Sequence, residues 1–331
     1  MKLTNDGYLR INFRNSSRND FRLQCNFKCS YCFQNCQKIK QIPFTNNHYK
    51  QTQLIWNELS KIDDQIYVRV NFNGETLIDK WAKKSAFYIN QIPNVKTFEI
   101  ITNNSIHPKK YVNNLDLTKT SFNCTFHPEF MSINKFIDHI LFLREAGCKI
   151  LANMVCFPQI IKSIPKIFKV FKKHKIDLKL QGFITIGFKY IGKHYPNDYT
   201  PNERRILKQF FYSQEEYEYM VNLKMTRGLD CYAGVDMINL FLNGIIKRCF
   251  TGEIGNFYQN NMYIKKHPLK KVFDKIISSF DNVALNKLSK KASIFSKKEQ
   301  NIFELISGNI KLNTEPFPCH ENNCLCYAHF I

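Results

Sequence analysis

Three of the chain's twelve cysteines stand within eight residues, in the string Cys25-Asn26-Phe27-Lys28-Cys29-Ser30-Tyr31-Cys32, with the spacing CxxxCxxC. Thiolates this close can hold three corners of a 4Fe-4S cube and leave its fourth iron open to a ligand, much as catalytic metal sites keep an open position that structural ones close. A zinc site completed by Cys36, four residues past the triad, is the alternative use of the same thiols. A second group lies towards the other end. In CYAGVDMINLFLNGIIKRC, twelve residues separate Cys231 from Gly244 and four separate Gly244 from Cys249, and Cys319, Cys324 and Cys326 follow near the terminus. Two short strands joined at a glycine turn present one thiolate from each end, and glycine supplies the backbone conformation that other residues resist. Five cysteines compete there for up to four ligand places, so the spacing leaves open which of the last three is spare. Cys124, Cys148 and Cys156 fall on strands or near helix ends and read as buried structural thiols.

Something must hold the triad in place, and the periodicity of the first half supplies it. Runs rich in β-branched and aromatic residues at Tyr8–Phe13, Ile66–Asn73, Lys96–Thr102, Thr120–Phe126, Lys149–Phe157 and Leu178–Phe183 read as strands. Helical stretches lie between them, the clearest being Ile133–Leu143, whose Ile133, Phe136, Ile137, Ile140 and Leu141 share one face before Gly147. About six βα units imply right-handed crossovers and a parallel sheet, hence a partial or full α/β barrel. Chemistry in such barrels gathers at the C-terminal strand ends. After Tyr190 the rhythm stops: a connector over 191–227, with a helical stretch from Pro201 to Leu223, leads to a tail over 228–331. Its two cysteine groups are separated by a mostly helical, lysine-rich segment.

The bulk numbers narrow the classes. A chain of 331 residues with 44% hydrophobic content buries a sizeable core. Lys and Arg outnumber Asp and Glu by 48 to 27, a net charge of +21 that suits a polyanionic partner. The lysines are scattered through a sequence rich in Lys, Asn, Ile and Phe, with no dense basic block, which makes a nucleic-acid surface the weaker reading. The N-terminus lacks a secretory layout and no stretch reaches about 18 uninterrupted apolar residues, so a soluble, cytoplasmic protein without a membrane partner is expected. Tight cysteine groups without a secretory signal favour metal ligation in a reducing compartment.

The triad resembles the signature of the radical S-adenosylmethionine (radical SAM) superfamily, CxxxCxΦC, with Tyr31 in the aromatic place. The resemblance implies a partial (β/α)6 TIM-like radical SAM barrel over 1–190, a 4Fe-4S cluster on Cys25, Cys29 and Cys32, and bound S-adenosylmethionine. Asn73-Gly74-Glu75 stands where the family has Gly-Gly-Glu, with Asn73 replacing the first glycine. Gly74 still permits close backbone approach, and Glu75 can pair with the methionine ammonium. Thr125 takes the place of the ribose-holding hydroxyl, Asn153 and Met154 that of the adenine pocket, and Ile101-Thr102-Asn103-Asn104 looks like a Thr-Asn-Gly strand ending. His127, the strand-end histidine, is the candidate acid or base. The stretch Arg14–Arg22 before the triad is longer than the family's pattern.

The C-terminal spacing is similar to CX9–15GX4C, the opening of SPASM and twitch auxiliary-cluster domains, and Gly255-Asn256 also resembles them. Too few thiols remain for the two clusters of a SPASM domain. A small twitch-like α+β domain is implied instead, with one auxiliary 4Fe-4S cluster on ligands from Cys231, Cys249, Cys319, Cys324 and Cys326. The implied activity is reductive cleavage of S-adenosylmethionine to a 5′-deoxyadenosyl radical that abstracts a hydrogen atom, fed by a flavodoxin- or ferredoxin-type electron donor. The implied substrate is a ribosomally made peptide, to be cross-linked, oxidised or epimerised, with a sugar-type small molecule as the alternative. The 24 residues before Cys25 leave no room for a leader-binding domain, while the net charge of +21 would draw an acidic leader. Tyr190–Pro196, mixed aromatic and basic, is a candidate substrate-facing loop or an ordinary interdomain one. Two rivals from other classes are a basic zinc or iron–sulfur nucleic-acid-binding protein and an iron–sulfur scaffold that never cleaves S-adenosylmethionine.

Overall fold

The computed structural model describes residues 3–4, 6–15, 23–32, 34, 38, 40–185, 189–247, 249, 300–308, 312 and 316–319. Cys36, Cys324, Cys326, Gly255-Asn256 and the lysine-rich segment between the C-terminal cysteine groups lie outside the described residues.

Six strands run parallel and side by side in chain order: β1 (Tyr8–Arg14), β2 (Gln65–Val70), β3 (Val95–Thr102), β4 (Thr120–Thr125), β5 (Lys149–Val155) and β6 (Leu178–Gln181). Alternation explains them. Leu9, Ile11 and Phe13 of β1, Ile66, Val68 and Val70 of β2, and Phe98 and Ile100 of β3 are buried. They pack into a core shared with Trp56 of α1 (Asn46–Leu59), Ala82 and Ile89 of α2 (Lys80–Asn90), and Phe136, Ile140 and Leu143 of α3 (Ile133–Glu145). Phe13 meets Trp56 edge-on with ring centroids 5.6 Å apart. Two of these helices start where side chains take over orphaned backbone donors. Asp79 accepts from Trp81 N and Ala82 N, and Ser132 accepts from Lys135 N.

Three features depart from a plain repeat of βα units. Between β3 and β4 the crossover holds no α-helix, only 3-10 turns at Pro108–Lys110 and Val112–Asn114, where the His107 side chain caps the first turn and Pro108 sets its backbone. β5 leads into a single turn, α4 (Pro158–Ile161), and then α5 (Ile164–Lys173). The helical stretch expected from Pro201 is split into α6 (Pro201–Phe210) and α7 (Gln214–Met220), because Phe211 is extended and Ser213 caps a new start.

The tail strands β7 (Asp230–Cys231), β8 (Met237–Phe241), β9 (Ile245–Lys247), β10 (Gln300–Asn301) and β11 (Phe317–Pro318) are short. β8 adds parallel to β1, with Arg10 opposite Met237 and Arg14 opposite Phe241, and β9 and β10 follow antiparallel. Among the described residues the result is one nine-stranded sheet in the order β10-β9-β8-β1-β2-β3-β4-β5-β6, open between its end strands as a partial barrel is. The tail thus covers the edge that β1 would otherwise expose. β7 and β11 pair separately.

The opposite face of the strands from the helix layer is polar. Glu99 of β3 accepts Arg69 Nε at 2.8 Å, Asn123 Nδ2 at 3.0 Å and the Tyr67 hydroxyl. Asn153 Nδ2 donates to Asn123 Oδ1, and Asn12 Nδ2 donates to Asn239 Oδ1 at 2.7 Å. With Arg69 and Glu99 side chains 11% and 8% exposed, removing one partner strands the other's charge. Glu99→Ala is therefore expected to lower stability by about 3–5 kcal/mol in anaerobic urea unfolding. Breaking the exposed Lys61–Glu58 pair should cost at most about 1 kcal/mol. Equal costs for the two would show that the inner network contributes nothing special.

Candidate functional site

The triad loop is threaded across the C-terminal ends of the strands. Gln24 bridges Gly74, and Leu23 bridges Ile42. Gln41 grips Cys25 from both sides, its Oε1 accepting Cys25 N at 3.2 Å and its Nε2 donating to Cys25 O at 2.7 Å. Cys32 N closes a turn onto Cys29 O at 3.2 Å. Donors point at the sulfurs. Phe27 N lies 3.4 Å from Cys25 Sγ, and Asn103 Nδ2 lies 4.0 Å from it while also bonding Asn26 Oδ1 at 3.0 Å. His127 Nδ1 is 3.4 Å from Cys29 Sγ, and Tyr31 hydrogen-bonds the same thiol.

Burial, then the charges of Cys32 and Cys25, push the Cys29 thiol up to about 12, with the Tyr31 bond opposing. The free thiol therefore stays protonated, and ligation there releases a proton. Among the described residues no group of three or more His, Cys, Asp or Glu could hold a metal ion. A cube makes a different demand, since each thiolate goes to its own iron. Three thiols on one loop, close enough to feel each other's charge and supplied with N–H and O–H donors, fit such a group.

The end of β2 provides the next part. Gly74 has φ +80°, and a Cβ there would lie 2.1 Å from Gln24 O and 3.1 Å from Cys25 Cβ, so only glycine lets the cluster loop approach. Gly74 N donates to Gln34 Oε1 at 2.8 Å, and Gln34 Nε2 reaches Asn73 Oδ1 at 3.3 Å. Asn73 N is held by Asn15 Oδ1 at 3.0 Å. Glu75 is fully buried. Its carboxylate accepts Leu77 N at 3.0 Å, Thr102 Oγ1 at 2.8 Å and Asn103 N at 2.5 Å, tying the end of β2 to the end of β3. Burial raises it to about 6 against the lowering by those donors.

Thr125 and Asn153 stand opposite each other in the β4–β5 register. Asn153 is wholly buried, and its Oδ1 has no partner among the described residues, an acceptor suited to a ligand's N–H. His127 follows Thr125 by two residues, with Nδ1 2.8 Å from Tyr31 Oη, and burial pulls it down to about 4, so it is neutral at physiological pH. Tyr31 stacks on Phe157 with centroids 3.9 Å apart. Cys124, Cys148 and Cys156 are buried, as expected of structural thiols, with Cys148 pushed to about 11 and Cys156 to about 12 by desolvation.

Several contributors carry no local signal in the sequence. Ser30, inside the triad, donates its N–H to Glu129 Oε2 at 2.8 Å and its hydroxyl to Glu129 Oε1 at 2.5 Å, and lies 2.9 Å from Tyr190 Oη. Tyr190 in turn donates to Gln159 Oε1 at 3.0 Å. Loops after β4 and β6 thus converge on one serine, and α4 after β5 is joined to it through Tyr190. Tyr190 begins the aromatic and basic segment singled out above and Asn103 belongs to the strand ending quoted there, while Gln34 and Gln41 are the other unflagged partners.

At the tail, Gly244 has φ +83° in the β8–β9 turn. Cys231 and Cys249 share a small cluster with Ala233 and Met237. β11 lays Phe317 opposite Cys231, and Cys319 is clamped beside Leu229, its N donating to Leu229 O and its O accepting Gly228 N, both at 2.8 Å. Cys231 therefore packs in one cluster with Cys249 and lies on a strand paired with the one that leads to Cys319. No described helix is long and apolar enough to cross a membrane.

No family model and no curated protein matches this sequence. The fold does find counterparts among solved structures. Streptococcus suis SuiB bound to S-adenosylmethionine superposes with a TM-score of 0.50 at 16% identity, over 85% of this chain and 67% of SuiB. Hexahistidine-tagged anSMEcpe with bound AdoMet gives 0.50 at 12% identity over 97% and 91% of the two chains. Native anSMEcpe with bound AdoMet and a Cp18Cys peptide gives 0.50 at 14% identity over 80% and 85%. The chain has the α/β, partial-barrel fold of these structures.

Two outcomes follow from the strand-end geometry. Gly74→Ala adds a left-handed penalty of about 1–2 kcal/mol to a clash with the Gln24 carbonyl, so its thermal midpoint should fall by several degrees; an unshifted midpoint would remove the close approach. For Glu75 the folded value of about 6 lies above the ordinary 4.5, so its ionisation opposes folding as pH rises through that window. Thr102→Val should cost about 1 kcal/mol near pH 4, where a neutral bond is lost, and about twice that near pH 7, where a bond to a carboxylate is lost. A pH-independent difference between the variant and the parent in urea unfolding would contradict this.

Proposed function

We propose that this chain is a radical SAM enzyme. The observation that carries the proposal is the CxxxCxxC loop lying at the C-terminal rim of a parallel, partial-barrel sheet, in a fold shared with structures that bind S-adenosylmethionine. Cys25, Cys29 and Cys32 would hold a 4Fe-4S cluster, with Tyr31, Asn73, Gly74, Thr125 and Asn153 around the S-adenosylmethionine. With an electron from a flavodoxin- or ferredoxin-type donor, that pair supplies a 5′-deoxyadenosyl radical for hydrogen abstraction. The protein's own work is positional. Gly74 lets the triad loop close against the end of β2, Asn153 Oδ1, without a partner among the described residues, would accept from an adenine-type amine, and the rings of Phe27, Tyr31 and Phe157 pack around the triad. Glu75, with both oxygens engaged by protein donors, keeps the two strand ends in register beneath the methionine end.

The division of labour we propose is a barrel over 1–190, a helical connector over 191–227 and a twitch-like region over 228–331. A second 4Fe-4S cluster there would draw on Cys231, Cys249, Cys319, Cys324 and Cys326. The convergence of the segments bearing Cys231, Cys249 and Cys319 supports it. For the substrate, a peptide is favoured by the Cp18Cys peptide bound to anSMEcpe and by the net charge of +21, which would steer an acidic partner. The site of action would be a reducing, cytoplasmic one.

Anaerobically reconstituted protein should carry about eight irons, and replacing Cys25, Cys29 and Cys32 together by Ala should leave about four and abolish 5′-deoxyadenosine formation. Cys231→Ala or Cys249→Ala should lose product while still cleaving S-adenosylmethionine without coupling. Iron content unchanged by the triple substitution, or zinc in place of iron with no absorbance near 400 nm, would sink the reading.

A further inference from the structure

Around Cys29 three polar atoms form a triangle, two of whose sides meet at His127 Nδ1. His127 Nδ1 lies 2.8 Å from Tyr31 Oη and 3.4 Å from Cys29 Sγ, and the Tyr31 hydroxyl stands near enough to Cys29 to act on the thiol as a donor that lowers it. A ligated thiolate brings no proton, the phenol brings one, and Nδ1 brings one or none. Were Nδ1 bare, the phenol proton would be drawn towards it and the sulfur would be left with no donor. With Nδ1 protonated, the short leg runs from His127 to Tyr31 Oη, which frees the phenol proton for the sulfur. An anionic acceptor selects the second arrangement, because a charge-assisted bond is about twice as strong as a neutral one.

Rings pack against the Tyr31 and His127 corners of the triangle. Phe157 stacks on Tyr31 with centroids 3.9 Å apart and planes 13° apart. Phe27 meets His127 edge-on at 5.7 Å, and Phe130 stacks on Phe27 at 5.3 Å. Such packing fixes the donors' directions and keeps water from competing for the sulfur, which strengthens each bond.

We infer that His127 and Tyr31 form a hydrogen-bond relay ending on the Cys29 sulfur, and that this relay raises the reduction potential of the triad site. The inference rests on reading the triad as a cluster site. One-electron reduction by an external low-potential donor adds one negative charge, shared in part by the ligating sulfurs. A donor aimed at that sulfur stabilises the reduced state more than the oxidised one. No covalent bond to the protein forms or breaks, and both relay protons stay where they are. His127 is thus a positioning residue acting through Tyr31, and Tyr31 has a duty beyond its aromatic face.

The test is an EPR-monitored potentiometric titration of the full chain with both groups of cysteines intact and S-adenosylmethionine present. The signal altered by adding S-adenosylmethionine identifies the triad cluster. Tyr31→Phe keeps the stack on Phe157 and removes only the hydroxyl. It should lower the reduced-to-oxidised ratio about tenfold at a fixed potential, a midpoint about 59 mV more negative for a one-electron couple. His127→Leu should shift the midpoint the same way, and His127→Asn, which restores an N–H donor, should recover most of it. In a relay the double variant Y31F/H127L should fall no further than Y31F alone, whereas two independent donors would give additive shifts and overturn the relay. A midpoint does not depend on the fraction of chains loaded, so partial cluster loss in a variant leaves the readout intact. An unchanged midpoint in Y31F overturns the inference while leaving the proposed function standing. A parent protein with no signal sensitive to S-adenosylmethionine overturns both.

Discussion

A carboxylate with 1% of its surface exposed sits between the ends of β2 and β3, and the rim of the barrel is organised around it. Burying an ionised group is costly unless its lone pairs are engaged, and Glu75 meets that condition with two backbone N–H groups and the Thr102 hydroxyl. Those bonds fix where Asn103 stands, and Asn103 in turn reaches the triad loop through Asn26. On the other side of the same residue, Glu75 N donates to Gln24 O at 2.7 Å, beside the contact only Gly74 allows. One buried charge therefore couples two strand ends to the loop that carries the cysteines. Its residual burial penalty, worth about 2 kcal/mol near neutral pH, is stability given up for a rigid rim.

The second constraint acts on the triad from outside the sheet. Ser30 is bound by Glu129, Tyr190 and, through Tyr190, Gln159, so segments after three successive strands meet at one small hydroxyl. Glu129 also places a negative charge near the cysteines, adding slightly to the rise of Cys29. Burial first, and these neighbouring charges after it, keep a proton on the free Cys29 thiol and so make it a poor nucleophile for disulfide formation.

How much of this was legible in the sequence follows from the range of each interaction. The triad, the strands and the glycine turn at Gly244 are local patterns, and each lies where the periodicity and spacing put it. β-branched alternation fixed the strand cores closely; the missing helix between β3 and β4 escaped because Pro108 and the Asn113-Asn114 pair differ little in composition from an ordinary loop. The break at Phe211–Ser213 was masked by apolar residues that continue the helical pattern. What could not be read is long-range. Asn12 meets Asn239 across 227 positions, and Ser30 meets Glu129 across 99, so neither pairing leaves a trace in any window of the sequence. Gln41 grips Cys25 only because the chain between them folds back at the Leu23–Ile42 bridge.

The polar inner layer explains why the strands alternate at all. Parallel strands covered on both faces usually read as continuous apolar runs. Here one face packs on helices while the other carries Asn12, Arg69, Glu99, Asn123 and Asn153, joined across neighbouring strands by hydrogen bonds. A dry core would gain more from apolar residues at those positions, because a buried ion pair contributes little net stability. A polar layer instead specifies register, since a one-residue slip would drive each of those groups into the helix-facing core. It also surrounds the strand ends with fixed dipoles that a polar ligand finds already oriented. The Oδ1 of Asn153, buried and without a partner among the described residues, is where that layer reaches up towards the rim, and it joins the polar face of the sheet to the strand ends that carry the triad loop.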